Sequence, residues 1–446
     1  MSEANTEATV KHIPFVSGAK TQGGHYQEYC EHALNFFNRA YKECGEVCEF
    51  DIGVGIRKFL LVGPELQEQV LRAPEEEMSA AEAYQFMVTV FGPWVQYARP
   101  FETEQQQLKM HAKGLHNSRM KNYAPVVTRE VEDWIGTWDD EGEMDFVDAF
   151  ADLTIKTSTH CLLGAQFRYT LTEEFADLYH ELGAATTAEA TADTNAGQAG
   201  DMARQRLEDL ISERVRARRD SSEQFEDMLQ LYMDATYLDG SKLSDKEISG
   251  MVIWFMFAGH HTSANAAAWM MVELARNPGY AIQIRDEIDK VYAEKGEVDH
   301  KGLRDMPVLQ GFLTETLRCH PPLNVLTRRV KKQFEYDGYV IPEGSEVVLA
   351  PSISHHLPEY FPNPNVFDPL RPEPENMFAY IPFGGGPRKC VGNMFAILQV
   401  KCIFSALFRD FDFELVNSPD SYTEIMPSLI LRPSDPCIIR YKRRKK

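Results

Sequence analysis

The sequence predicts a mainly α-helical protein with a small β region, and three observations carry that prediction. Residues 64–330 are helical in pattern almost throughout. Within them, a helix opens at the capping box Ser244 to Glu247 and runs to Arg276, where Asn277-Pro278 stops it. At the helical rise, its run of about 33 residues is about 50 Å long. Finally, β signals are confined to 46–62 and 334–350.

Taken in order, Glu46 to Val62 reads as two short strands around a glycine-rich turn. Gly53 and Gly55 suggest a dinucleotide fingerprint, but Lys58 stands where its third glycine belongs. Residues 183–200, rich in alanine, threonine and glycine, read as a mobile connection between helices. Asp337-Gly338 marks a hairpin turn in the second β stretch. With no internal repeat, a single domain over residues 1–446 is expected.

Composition narrows the function. The 446 residues carry a formal net charge of −21, which argues against nucleic-acid binding. The basic C-terminal "YKRRKK" reads as a solvated tail. Residues 1–20 hold no apolar stretch of signal or membrane length, so no transmembrane anchor is expected. The eight cysteines lack paired metal spacings and read as reduced thiols.

"AGHHTS", residues 258–263, sets two histidines in the most apolar helix of the chain. Neighbouring helical positions diverge by about 100°, so His260 and His261 cannot share one metal ion. Ala264 and Asn265 exclude the zinc-protease pattern. Gly259, in mid-helix with Thr262 three residues on, suggests a helix opened locally beside a flat ligand. A satisfied core histidine beside a packing glycine is the alternative.

"FGGGPRKCVG", Phe383 to Gly392, is a glycine-rich loop followed at once by an amphipathic helix. A cysteine at a helix start is placed to carry negative charge, and a thiolate there is a strong ligand for a soft or borderline metal. Phosphate binding fails for want of a Lys-Ser/Thr pair. A buried structural cysteine would leave Phe383, Gly384, Gly386, Arg388 and Gly392 unexplained.

This loop resembles the haem-binding loop of the haem-thiolate monooxygenases, the cytochrome P-450 family, in which the cysteine is the axial iron ligand. "TETLR", with Glu315 and Arg318, and "FDPLR", with Arg371, are similar to that family's Glu-Arg-Arg network. "AGHHT" matches its distal helix, with Thr262 at the proton-relay threonine. Histidine in place of the usual acid at His261 resembles one group, the sterol 14α-demethylases. The stretch Tyr84 to Ala98 is similar to that group's distal-loop motif, departing at Thr89 and at Tyr97-Ala98. The resemblance implies a triangular fold of one catalytic domain holding haem b between the histidine helix and the Cys390 loop.

The same resemblance assigns the site. Cys390 is the implied iron ligand, and Thr262 and His261 the implied proton relay, with Glu181 a candidate to reload His261. Gly259, Phe383, Gly384, Gly392, Tyr84, His111, Lys109, Arg328 and Arg388 are implied around the haem, the cations and donors among them for its propionates. Phe86, Met87, Phe91, Phe257, Ala258, Leu323, Val325, Leu429 and Ile430, with Tyr84, match positions lining an apolar sterol pocket.

The implied reaction removes a 14α-methyl group in three successive oxygenations and releases formate. It needs O2 and an electron donor such as ferredoxin with its reductase, and azole-type inhibitors are expected to ligate the iron. Arg329, Lys331, Lys332, Arg388 and Lys389 could serve as a docking face for an acidic donor. A cytoplasmic, soluble chain, touching membranes at most peripherally to collect sterol, is expected. A fatty-acid or terpenoid hydroxylase of the same fold, and a haem-bound sterol carrier or sensor without turnover, remain as alternatives.

Overall fold

The computed structural model describes residues 10–445 except 21–22, 192–193, 224, 426–429 and 435. The chain folds into two compact units. One unit gathers Met1–Gln85, Leu323–Val366 and Glu373–Lys389 around a five-stranded sheet. Its spatial order is Val47–Phe50, Lys58–Leu61, Glu346–Leu349, Leu326–Val330 and Met78–Ser79. Only Lys58–Leu61 and Glu346–Leu349 pair in parallel. Both of these inner strands are buried along their whole length, as expected where both faces are covered. Lys58 and Glu346 meet in a buried ion pair across them. Phe59, Leu61, Val347 and Leu349 pack with Val70, Leu71, Phe378 and Ile381 beneath the sheet. At the expected hairpin, Asp337 and Gly338 take φ of 45° and 82°, the left-handed pair that such a turn requires.

The second unit, Phe86–Pro322, Phe367–Pro372 and Cys390–Lys446, is the helical body. The histidine helix spans Asp245–Arg276 and is closed at its start by the reciprocal Ser244–Glu247 box. The cysteine helix, Asn393–Asp410, is tied to the run Phe146–Thr191, two helices joined at a kink at Gly164, by Gln399, whose Nε2 donates to Thr157 Oγ1 at 2.7 Å and Ser158 Oγ at 3.0 Å.

Four expectations are corrected. The 183–200 stretch is not a loop: the helices Phe146–Thr191 and Thr194–Arg219 occupy it, with 192–193 outside the described residues. Its alanines are the strongest helix formers available. The basic C-terminus is not a free tail either, because Ile438–Arg443 is the central strand of a three-stranded sheet with Glu141–Asp145 and Phe411–Leu415. Arg444 also pairs with Asp289 at 2.6 Å. That third sheet gave no recognisable sequence signal, since its charged strand Glu141–Asp145 acquires its role only from a partner almost three hundred residues away. Last, the histidine helix is continuous through Gly259 rather than opened.

Candidate active site

The histidine helix is almost entirely interior, which makes its exceptions informative. Between Ile248 and Leu274 only Trp254, Ala258, Gly259, His261 and Thr262 are not buried. Trp254, Ala258 and Thr262 follow one another at four-residue steps and share one face. Ala258 is exposed, and a Cβ added to Gly259 would meet nothing within 4 Å. An open strip is therefore left on an otherwise packed helix. The Thr262 hydroxyl donates to Ala258 O at 2.7 Å, a back-bond that parks it until a better acceptor arrives.

His261 turns from that strip toward the helix Phe146–Thr191. Its Nε2 lies 3.4 Å from Tyr179 O, and a Cβ on Gly183 would come within 3.1 Å of the ring. The carbonyl can only accept, so Nε2 carries the proton and Nδ1 the lone pair. Burial pulls the His261 pKa down to about 4, against the opposing Tyr179 bond. The ring is neutral at pH 7. Glu181 lies on the same helix as Tyr179 but is exposed, and the hydrogen bond at Nε2 goes to the Tyr179 carbonyl. His260 is structural: its Nε2 bonds Ala151 O at 2.9 Å, and burial holds its pKa well below the usual value.

Among the eight cysteines, Cys390 alone is exposed. It lies just ahead of the helix that begins at Asn393, and a Cβ added to Gly392 would lie 3.8 Å from both Cys390 Sγ and Leu115. The loop before it is seated by Gly386, at φ 67°, where a Cβ would fall 2.0 Å from Leu71 O. No other residue type permits that approach. Gly384 faces open space and Phe383 is half-buried.

The expected propionate partners are distributed as follows. In the first unit, Tyr84 Oη accepts from Thr327 N at 3.3 Å, while buried Arg328 donates to Thr327 O at 2.7 Å. Arg388 is ion-paired with Glu75 at 2.5 Å. Burial alone would raise the Glu75 carboxyl, but the Ser79 hydroxyl and the Arg388 guanidinium hold it below the usual carboxylate range. In the second unit, His111 is buried, bonded through Nδ1 to Tyr232 Oη and stacked 5.2 Å from Phe255. Burial lowers its pKa to about 4, so it offers a neutral donor rather than a cation. Lys109 is exposed.

The basic face is largely neutralised in place. Lys331 pairs with Glu82, Lys332 with Glu77, Arg329 with Glu346 and Arg388 with Glu75. Lys389 is exposed.

Of the expected pocket residues, Phe91 and Phe257 pack their rings 4.6 Å apart, and Phe257 lies 4.7 Å from His261. Met87 and Ile430 are buried, and Phe86, Leu323 and Val325 are half-buried. Leu429 lies outside the described residues. Trp254, edge-on to Phe91 at 5.2 Å and to Tyr97 at 5.6 Å, was not singled out from sequence. Its four-residue spacing ahead of Ala258 was the available signal.

The structure brings Glu315, Arg318 and Arg371 together. Arg318 forks onto Glu315 at 2.8 and 2.9 Å, and Arg371 Nε adds 3.2 Å. The Asp368 backbone N–H donates to the same carboxylate at 3.0 Å.

The second unit thus carries one exposed thiol, at Cys390, and an uncovered strip on a buried helix, at Ala258, Gly259 and Thr262. Comparison with known proteins places the chain. The pattern of the cytochrome P450 family matches residues 22–440. A sterol 14alpha-demethylase from Mycolicibacterium vanbaalenii is 37% identical over 98% of this chain and 99% of its own length. A lanosterol 14-alpha demethylase of Mus musculus is 33% identical, covering 97% of this chain and 87% of its own. A sterol 14-demethylase of Arabidopsis thaliana is 33% identical, covering 91% and 86%. The solved structure of a retinoic acid-bound cyanobacterial CYP120A1 superposes with a TM-score of 0.85 at 19% identity, over 98% of this chain and 100% of that one, which speaks to the fold alone. The chain belongs to the cytochrome P450 family, and its cofactor is haem with a cysteine thiolate as axial ligand.

Proposed function

We propose that this protein removes the 14α-methyl group of a sterol precursor, taking it through alcohol and aldehyde to formate, with the whole chain acting as one catalytic domain. The observation that carries the reading is Thr262 on the open strip of the histidine helix with His261 next to it in sequence, within a chain 37% identical to a sterol 14α-demethylase over nearly its full length. Bound haem supplies dioxygen activation and electron transfer, with Cys390 as its thiolate. Gly259 and Ala258 leave room for the flat ring, and Gly384, Phe383 and Gly392 shape the loop on the thiolate side. Tyr84, Arg328, Arg388 and His111 are assigned to the propionates, and Arg388 exchanges Glu75 for a propionate or shares itself between them.

Thr262 holds the water that delivers a proton, once its hydroxyl turns from Ala258 O. His261 orders that water through Nδ1, because Tyr179 fixes the proton on Nε2. To pass a proton onward the ring must first release Tyr179, and at 3.4 Å that bond is worth at most about 1 kcal/mol. Phe86, Met87, Phe91, Phe257, Ala258 and Ile430 form the apolar lining that excludes bulk water. A ferredoxin is the proposed electron donor, and azoles are proposed to bind the iron. Among the described residues no helix is long and apolar enough to cross a membrane; a cytoplasmic location with only peripheral membrane contact is part of the proposal.

An optical titration of the purified ferric protein with lanosterol and with a 4-monomethyl 14α-methyl sterol tests the substrate. A saturable low-to-high-spin shift is expected, the tighter ligand naming the preferred class. A haem spectrum indifferent to both sterols refutes the sterol reading and points to a fatty-acid or terpenoid hydroxylase.

A further inference from the structure

His320 is a buried titratable group that the reaction outlined above does not use. It ends the helix Pro307–Cys319, and its side chain is only 11% exposed. Its ring lies flat on Trp269, centroids 3.9 Å apart and planes 2° from parallel. Carboxylates flank it on both sides: Nε2 is 3.0 Å from Glu273 Oε1 on the histidine helix, and Nδ1 is 3.6 Å from Glu424 Oε1 on the C-terminal segment. Burial lowers its proton affinity, but the two carboxylates outweigh burial and the pKa is raised. A cation stacked on an indole and held between two anions is a consistent arrangement.

Two arginines lie nearby, and one of them shares the Glu273 Oε1 atom with His320. Arg276 pairs with Glu273 at 2.7 Å and donates to Pro419 O at 3.1 Å and Tyr422 O at 3.0 Å. Arg318, on the helix of His320 itself, is taken up by Glu315. The segment that Glu424 belongs to doubles back on itself, Ile425 N donating to Arg432 O and Ser434 N to Thr423 O. Leu431 N then donates to Pro322 O at 2.9 Å, two residues beyond His320. Ile430, assigned above to the substrate lining, sits next to that bond.

We propose that His320 is a positioning residue: as an imidazolium it clamps residues 422–425, and with them 430–434, to the histidine helix through Glu424 and Glu273, and so sets where Ile430 stands for the sterol. The effect on substrate rests on the sterol reading; the clamp itself does not. Because the clamp needs the charged ring, it is complete at low pH and is lost as pH rises through the raised value of His320.

The test uses the haem-loaded full chain. Amide hydrogen exchange, corrected for intrinsic rates, is followed over 422–425 and 430–434 between about pH 6 and about pH 9. In the wild type, protection is expected to fall about fivefold as pH rises, the weight of one ion pair at the 3.6 Å separation of Nδ1 and Glu424. His320→Gln is expected to show the low-protection level with no such pH step. Glu424→Gln, a milder change at a partly buried carboxylate, is expected to lose protection at pH 6 as well. An unchanged pH step in His320→Gln, or none in the wild type, overturns the clamp. Sterol affinity read by spin shift should weaken over the same pH range in the wild type and stay flat in His320→Gln. Affinity that ignores pH while exchange responds overturns the positioning role. Absence of any sterol response would instead refute the substrate reading, with the exchange data still deciding the clamp.

Discussion

Removing the Glu315 carboxylate should be among the most damaging single changes in the chain. Glu315 is 3% exposed and Arg318 1%, and the carboxylate receives both nitrogens of the Arg318 fork, the Arg371 Nε and the Asp368 N–H. Glu315→Ala removes the carboxylate that one fully buried and one largely buried guanidinium share. Breaking a buried pair in this way costs about 3–5 kcal/mol. For 446 residues the unfolding entropy is about 0.9 kcal/mol per kelvin. The melting midpoint should therefore fall by about 3–5 °C, a shift readable by following haem loss and far-UV circular dichroism together. Glu315→Asp, which keeps the charge on a shorter stem, should fall less. A midpoint for Glu315→Ala within about 1 °C of wild type would mean that water or another anion takes over the arginines, and would refute the reasoning.

Further expectations follow from the site. Cys390→Ala should abolish the thiolate-ligated haem spectrum, and retention of that spectrum refutes the ligand. His261→Ala should keep sterol binding while slowing turnover; unchanged turnover removes its part in proton delivery. His111, neutral in the fold with a pKa of about 4, should cost about 2 kcal/mol of stability at pH 5 relative to pH 7, because there only the unfolded chain takes up its proton. The sign is that of a depressed histidine: stability is lost as pH falls below about 6.5. Unfolding midpoints of His111→Phe should drop less than wild type between those pH values, and an equal drop contradicts the assignment. Gly250→Ala would set a Cβ 2.4 Å from Trp94 Cβ, so the loop must move, at a cost of about 1–3 kcal/mol in chemical denaturation. An unaffected midpoint would show that the loop is not pressed against the helix.

Sequence alone determined what depends on local chemistry. The capping box at Ser244, the stop at Asn277-Pro278, the Asp337-Gly338 turn and the glycine loop around Cys390 are each specified by a few adjacent residues, and all appear where those residues stand. The motifs on the histidine helix and around Glu315 were legible for the same reason, since spacing on a helix sets which residues share a face. Tertiary structure decided the rest. Whether 183–200 is helix or loop turns on neighbours that a low-complexity composition does not announce. The C-terminal run becomes a central strand only because Glu141–Asp145 and Phe411–Leu415 arrive on either side. The partners that set charge and proton position were likewise invisible in linear order: Tyr179 for His261, Glu75 for Arg388, and Glu273 with Glu424 for His320. Burial does the same to ionisation. A histidine has one intrinsic pKa in any sequence, and only the packed surroundings make His111 and His261 neutral donors while the two carboxylates beside His320 raise its pKa.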